Sequence, residues 1–346
     1  MLIENRPISL PLEREVWIDY AKVIAITLVV LGHAPSSADP FLGKFIYSFH
    51  MPAFFCFSGY LFKKKDISFK LFLRKNIKSL IIPYLIYNLI GCIFYSLMRY
   101  FSPTHLYSIN EYLIKSFLGV LLGGQSFISV LPIVPTWFLI TLFAVRCVCF
   151  LFDKKSFFLL LPVTALLAIV VSKYQIEQYV FYQLDTLLLA YPFFALGMLL
   201  RSLKDRTFSY LNISNFYVII LFSATLIMQI KICTINGWMN MGENRYGTNI
   251  LLYYLISTNG IMMIISFCLL LRNIRCDIIE QYSNGTMLIL CVNIMMIQII
   301  YLIAKYGFNL TSPNLIFSLV VTLGIMLILY YPIIIASRHF PFLLGK

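Results

Sequence analysis

Three ionisable side chains lie in an apolar stretch near the start of the chain: Asp19, Lys22 and His33. Eleven positions separate Lys22 from His33, and at about 100° per residue that is three helical turns plus roughly 20°. Both side chains therefore share one helix face, roughly 16 Å apart along the axis. Because ionisable groups in a long apolar span are costly, this stripe predicts a functional site that could hold an elongated ligand.

A second histidine, His50, lies in the segment FHMP, about two turns into the next apolar stretch. If the two stretches are antiparallel helices, His33 and His50 reach similar depths. Two imidazoles at one depth are suited to proton transfer, because each can accept and return a proton near its own pKa. Structural roles are the alternatives: an ion pair between Asp19 and Lys22, a helix cap at His33, and a hydrogen bond at His50.

Seven cations lie in the segment KKKDISFKLFLRKNIK, directly after this second stretch. Lys75 and Lys78 are spaced to share a helix face, where they could hold phosphates. Arg14 and Arg74 are further candidates for the same role. The alternative is that the cations orient the protein and attract anionic lipid headgroups.

Composition places these residues in a membrane protein. Apolar residues make up 60% of the 346 residues and charged residues 12%, with a mean hydropathy of +0.86, whereas soluble domains have about 25% charged residues. We predict one membrane domain over residues 1–346. The net charge of +13 comes from short clusters between apolar runs, which argues against nucleic-acid binding. The eight cysteines show no metal-ligand spacing, so we predict no metal site.

About ten apolar segments have the length of a membrane span, and the first is expected to remain as a span because it has no convincing cleavage site. The predicted helices cover residues 17–35, 44–62, 77–98, 136–152, 156–172, 184–200, 214–233, 250–271, 286–304 and 314–336. The stretch 112–133 is apolar but interrupted by glycines and Pro132, which suggests a re-entrant or interfacial segment. An eleventh crossing there would place every later loop on the opposite side of the membrane.

The distribution of cations predicts the topology. Of the 27 lysines and arginines, 18 fall on the side of the N-terminus and seven on the other side, while Lys22 and Arg146 lie within helices. By the positive-inside rule, both termini are expected in the cytoplasm. The chain shows no internal repeat of the kind found in many secondary transporters.

Several segments resemble the acyltransferase 3 family, especially its fucose 4-O-acetylase-like branch. They are REVWIDYAKVIAITLVVLGH, FIYSFHMPAFFCFSGYLF, LRKNIKSLIIPYLIYN, PTWFLITLF, QLDTLLLAYPFFALGMLLR, NGWMNM and NGTMLILCVN. The resemblance implies a multi-pass protein of the bacterial inner membrane that uses cytoplasmic acyl-CoA to acylate sugars. It also implies that His33 is the catalytic histidine and Lys22 its basic partner.

The same resemblance bears on four further positions. Lys75 and Lys78 occupy the place of a basic pair that is often two arginines, and lysine lacks the bidentate fork of arginine. Relatives often have histidine where this chain has Asn293, so we assign Asn293 no proton-transfer role. Asp185 is expected either to hydrogen-bond a sugar or to be a solvated carboxylate at a helix end.

The expected function is transfer of an acetyl group from acetyl-CoA to a hydroxyl of a cell-surface or exported glycan. His33 would act as a general base, or would carry the acetyl group itself as an acetyl-imidazole. The rivals are a proton-coupled transporter of a sugar or glycan-lipid and a noncatalytic subunit of a polysaccharide assembly complex. Expected partners are the lipid bilayer, the glycan acceptor, and either further copies of the chain or glycan-assembly machinery.

Overall fold

The computed structural model describes residues 14–34, 40–63, 67–101, 108–124, 129–152, 160, 162–170, 184–206, 213–310 and 313–346. The helices in these ranges are α1 (Val16–His33), α2 (Pro40–Tyr47), α3 (His50–Leu61), α4 (Phe69–Asn76), α5 (Ile82–Phe101), α6 (Ile109–Leu122), α7 (Trp137–Leu151), α8 (162–170), α9 (Leu184–Arg206), α10 (Asn215–Ile232), α11 (Ile250–Leu270), α12 (Asp277–Asn284), α13 (Thr286–Phe308) and α14 (Leu315–His339). A π-helical turn, Ile77–Ile81, joins α4 to α5. Two short strands, β1 (Met239–Asn240) and β2 (Arg245–Tyr246), form an antiparallel hairpin between α10 and α11.

Within the described residues, eight helical segments are long and apolar enough to cross a membrane. They coincide with eight of the ten predicted spans, so the predicted all-α membrane fold is confirmed. Of the other two, the span predicted at 156–172 is described only at residue 160 and in α8. The span predicted at 44–62 is divided between α2 and α3.

The prediction of one continuous helix over 44–62 is wrong, because the helix breaks at Ser48 and Phe49. Pro52 has no N–H to donate to the carbonyl of Ser48, four residues earlier, and its ring disfavours a regular helix there. The hydroxyl of Ser257 donates to that carbonyl instead, at 2.6 Å. The break ends one residue before His50, which begins α3.

In the interrupted stretch 112–133, the described residues before and after 125–128 lie next to each other. Helix α6 ends at Leu122 and is followed by Gly123, whose φ of +74° is in the left-handed region that favours glycine. Further along, the backbone N–H of Val130 donates to the carbonyl of Lys115 at 2.9 Å. Val130 thus lies beside Lys115 of α6, and the re-entrant or interfacial character of the stretch stays a prediction.

Helix α1 lies at the centre of the bundle, in contact with α3, α11, α13 and α14. Next to it, α3 packs closely along α9 through two glycines. A Cβ at Gly59 would lie 2.0 Å from the carbonyl oxygen of Phe194, and one at Gly197 would lie 1.8 Å from that of Cys56. Small residues at these points let the two backbones approach each other.

We expect Gly197→Ala to destabilise the protein by about 1–3 kcal/mol, because the added methyl group forces α3 and α9 apart. The measurement is thermal or denaturant unfolding of the purified protein in one detergent. Gly324→Ala is the matched control, since a Cβ there meets no atom within 4 Å. Alanine favours a helix over glycine, so the control should be neutral or slightly stabilised. Equal stability of the two variants would contradict the close packing.

The two ends of the bundle carry different residues. At the end that we call inner, Arg14 pairs with Glu280 at 2.6 Å, and Lys346 lies near both. Burial and the charge of Arg14 lower the pKa of Lys346 below its ordinary value. The opposite, outer end carries His33 and the β1–β2 hairpin. Both described chain ends therefore lie at one end of the bundle, and their cytoplasmic location stays a prediction.

Candidate functional site

His33 is the last residue of α1, and its side chain reaches Asn293 on α13. Nδ1 of His33 lies 2.9 Å from Oδ1 of Asn293. The amide nitrogen of Asn293 donates to the carbonyls of Ile289 and Leu290 at 2.9 and 2.7 Å, so its oxygen must face His33. An amide oxygen only accepts, and Nδ1 must therefore carry the proton. The lone pair of His33 is then on Nε2, which is the form that a general base requires.

His50 is buried on α3, with 3% of its surface exposed. Its Nδ1 lies 2.8 Å from the carbonyl oxygen of Ile46, which fixes the proton on Nδ1 and the lone pair on Nε2. The ring of Tyr47 meets both imidazoles edge to face, with centroids 6.4 Å from His33 and 5.0 Å from His50. The two predicted catalytic histidines thus lie around one tyrosine at the outer end.

Lys22 lies near the inner end and forms no direct ion pair with Asp19. Its ammonium group donates to the carbonyl and the hydroxyl of Ser283 at 2.6 and 3.0 Å, and that hydroxyl donates to Asp19 at 2.5 Å. Asp19 instead pairs with Arg14 through two hydrogen bonds of 2.6 and 2.9 Å. The hydrogen bond to Asp19 raises the pKa of Arg14, which already binds Glu280 as well. Arg14 and Lys22 therefore belong to one network at the inner end.

Glu15, just before α1, links the inner end of α1 to α9 through ion pairs. Arg201 and Lys204 each lie 2.6 Å from one of its carboxylate oxygens, and the hydroxyl of Tyr60 donates to the other. Burial opposes ionisation of Glu15, but hydrogen bonds led by the one from Lys204 more than offset it, so its pKa lies below the ordinary value. The position of α1, and with it that of Lys22, is thereby fixed.

A cavity of about 230 Å³ has Lys22 in its wall and extends to Met51, next to His50, although neither histidine lines it. Lys22 and Ile26, one turn apart on α1, line one side of it. Met51, which follows His50, and Leu290, about one turn before Asn293, line it too. The cavity therefore runs along the predicted face of α1 toward the histidines. Its volume is below the roughly 300–1,000 Å³ of sites that enclose a drug-sized ligand, so it suits the narrow part of a longer molecule.

The predicted phosphate-binding residues of the third span do not line this cavity. Arg74, Lys75 and Lys78 are exposed on α4 and the π turn that follows it. Within the π turn, Ser79 and Leu80 face the cavity instead. Single π turns occur frequently at functional sites, and here the turn separates outward-facing cations from inward-facing residues.

Asp185 lies under the outer hairpin, with 4% of its surface exposed. One carboxylate oxygen accepts from the side-chain amide of Asn244 and the other from the backbone N–H of Thr186 at 2.8 Å. Asn244 ends the hairpin's 3₁₀ turn with a φ of +54°, which asparagine tolerates. In this arrangement Asp185 anchors the hairpin; its role as a sugar ligand stays a prediction.

The hairpin also reaches the histidine end. Trp238, 39% exposed, packs against Tyr47 with ring centroids 5.2 Å apart. A Cβ at Gly43 would lie 3.0 Å from the indole ring, so a small residue there lets Trp238 sit close. The exposed ring of Trp238 thus contacts the same tyrosine that both imidazoles contact.

Sequence reasoning missed Asn293, Ser283 and Arg146 as parts of the site. Asn293 and Ser283 lie about 260 positions from their partners on α1, so no local spacing connects them. Arg146 did carry a signal, because it is a cation inside an apolar span. The structure places it on the wall of the cavity that Lys22 also lines.

Comparison with known families identifies the protein's class. A family model described as an acyltransferase domain, that of the acyltransferase 3 family, matches residues 15–331. Comparison with curated proteins and with solved structures found no match. The matched range contains α1 to α13 and most of α14, and therefore every residue of the site described above except Arg14, which lies one residue before it. The chain belongs to the acyltransferase 3 family and is a multi-pass membrane acyltransferase.

Proposed function

We propose that the protein transfers an acetyl group from cytoplasmic acetyl-CoA to a hydroxyl of a cell-surface or exported glycan, in the bacterial inner membrane. The observation that carries the proposal is the tautomer of His33. Asn293 holds the proton on Nδ1, which leaves the lone pair of Nε2 free to act as a base. The resemblance to the fucose 4-O-acetylase-like branch supports a sugar as the acceptor.

In this reaction, Nε2 of His33 takes the proton of the sugar hydroxyl as the hydroxyl oxygen attacks the thioester carbonyl carbon. The new C–O bond forms, the C–S bond breaks, and the leaving thiolate takes the proton back from the imidazolium. In the alternative route, Nε2 attacks the thioester itself and an acetyl-imidazole passes the acetyl group to the sugar. His50 has the same tautomer and lies across Tyr47, which supports it as a second proton carrier.

The cavity supports transfer across the membrane. Acetyl-CoA is too highly charged to enter the bilayer, but its thin pantetheine arm can enter from the inner end. The cavity extends from Lys22 toward the level of Asn293 and His50. The glycan would approach from the outer end, below the hairpin and beside Trp238. The nucleotide then stays in the cytoplasm while the acetyl group reaches the opposite side.

The direct test uses purified protein in proteoliposomes with acetyl-CoA labelled in the acetyl group and a bacterial glycan as acceptor. The expected result is a label on the glycan that mild alkali removes, as it removes an O-acetyl ester. A proton-coupled transporter would move its cargo without modifying it. Activity of the purified chain alone would also exclude a noncatalytic subunit. A glycan that stays unlabelled, with transport of the sugar observed, would overturn the proposal.

The exposed cations Lys75 and Lys78 are proposed to attract the donor's outer phosphates. Exposed charge pairs contribute about 0.2–1 kcal/mol each, so changing both to glutamine is expected to weaken acetyl-CoA binding by roughly 2- to 30-fold. The loss should shrink as salt rises, because salt screens exposed charges. Calorimetry at low and high salt measures the affinity for acetyl-CoA. The control is the double variant Lys231→Gln and Lys305→Gln, which changes two lysines at the outer end. Equal affinity of the two double variants would leave Lys75 and Lys78 with a role in topology alone.

A further inference from the structure

Arg146 is a partly buried cation without a counter-ion in the described part of the chain. It lies in α7, five residues before the last residue, Leu151, and therefore about 7.5 Å inside the helix end. One guanidinium nitrogen lies 3.4 Å from the amide oxygen of Asn76, and its buried Nε has no hydrogen-bond partner among the described residues. No carboxylate in those residues pairs with it. A cation without an ionic partner inside a membrane span indicates a binding site for an anion.

The cavity wall shows where that anion would bind. Arg146 and Lys22 both line the cavity, together with the hydroxyl-bearing residues Ser58 and Ser79. Lys22 uses two of its three N–H groups on Ser283, which leaves one for a ligand. Asp19, the nearest carboxylate of the network, is already bonded to Arg14 and Ser283. The two cations thus face a space that holds no compensating negative charge of the described protein.

The length of the donor identifies the group that belongs there. Lys22 is six residues into α1, about 9 Å from the inner end of that helix, a distance close to the roughly 7.5 Å that separates Arg146 from the inner end of α7. His33 lies about 16 Å further along α1. The pantetheine arm has about 14 bonds from its phosphorus atom to the thioester carbon, and an extended chain advances about 3.3–3.6 Å per three bonds. The arm therefore spans about 16 Å, the distance from these cations to the imidazole.

We propose that Arg146, with Lys22, binds the phosphate that joins the pantetheine arm to the nucleotide, inside the membrane and not at the exposed cations. This deepens the proposed function and rests on it. The planar guanidinium can bind two phosphate oxygens through two parallel N–H groups held in a rigid fork, which lysine lacks. With the phosphate held at this depth, the extended arm brings the thioester to the level of His33. Arg146 thus sets the position of the reacting carbon along the membrane normal.

The test compares two probes that differ by one phosphate: acetyl-pantetheine and acetyl-4′-phosphopantetheine. Calorimetry on the purified wild-type protein in lipid nanodiscs should show at least a roughly ten-fold tighter Kd for the phosphorylated probe. In Arg146→Gln this gain should disappear while the affinity for acetyl-pantetheine is unchanged. Arg146→Lys, which keeps the charge without the fork, should keep part of the gain. Arg99→Gln is the matched control, because Arg99 is a cation of a span that stacks on Tyr112, away from the cavity.

Each outcome has a distinct meaning. A full phosphate gain in Arg146→Gln would overturn the assignment of Arg146 and leave acetyl transfer intact. An equal loss of affinity for both probes in that variant would also overturn the assignment. The residue would then bind the pantetheine arm or stabilise the fold, and would not bind the phosphate. If the wild-type protein binds neither probe, the proposed donor fails together with the site. If Arg146→Gln loses the tighter binding of the phosphorylated probe while Arg99→Gln keeps it, the result supports the site.

Discussion

Changing His33 to glutamine should lower the rate of acetyl transfer by about 10² to 10⁴, the usual loss when a general base is removed. Glutamine is chosen because its side-chain amide can still donate to Oδ1 of Asn293, which keeps the hydrogen bond between α1 and α13. The variant should therefore insert, fold and bind acetyl-CoA as the wild-type protein does. The measurement is the initial rate of labelled acetyl transfer to the glycan at saturating donor.

Two variants accompany this experiment. His339→Gln is the matched control, because His339 is an exposed histidine at the inner end of α14, and it should keep full activity. His50→Gln tests the second imidazole, and a loss as large as that in His33→Gln would show that proton transfer needs both. Near-normal turnover in His33→Gln would remove His33 from the mechanism. A trapped acetyl-protein that is absent from this variant would instead assign His33 the nucleophilic role.

The second large effect is expected at Asn293, whose side chain we expect to act through its hydrogen bond to His33. Asn293→Leu keeps the volume but removes the acceptor for Nδ1, so the imidazole can take the wrong tautomer. A histidine that loses the partner holding its tautomer loses much of its catalytic power, as the serine-protease triad illustrates. We expect roughly a 10- to 100-fold fall in rate, comparable to the loss of outer-shell partners of histidine in other sites.

A rescue variant separates this positioning role from a structural one. Asn293→Thr retains an oxygen that can accept from His33 and donate to the carbonyl of Ile289, so the rate should recover in part. Thermal unfolding of both variants in detergent shows whether stability changes instead. If threonine and leucine lower the rate equally, or if the rate follows the unfolding temperature, then Asn293 supports packing alone.

The sequence by itself determined the membrane fold and the polar face of α1. Apolar runs of about 20 residues specify spans, and eight of them formed as predicted. The spacing of Lys22 and His33 within one helix sets their common face and their separation, because helix geometry is local. His50 was expected at the depth of His33, and the structure brings both rings against Tyr47.

Only the tertiary structure decided what lies opposite those side chains. Asn293 and Ser283 come from the far end of the chain, and packing of α13 and the end of α12 against α1 turns an amide oxygen toward His33 and a hydroxyl toward Asp19. Lys75 on α4 and Lys78 in the π turn that follows are exposed, whereas α7 carries Arg146 to the cavity. Helical periodicity fixes the face on which a residue lies, but the partner across that face depends on contacts between helices that are distant in sequence.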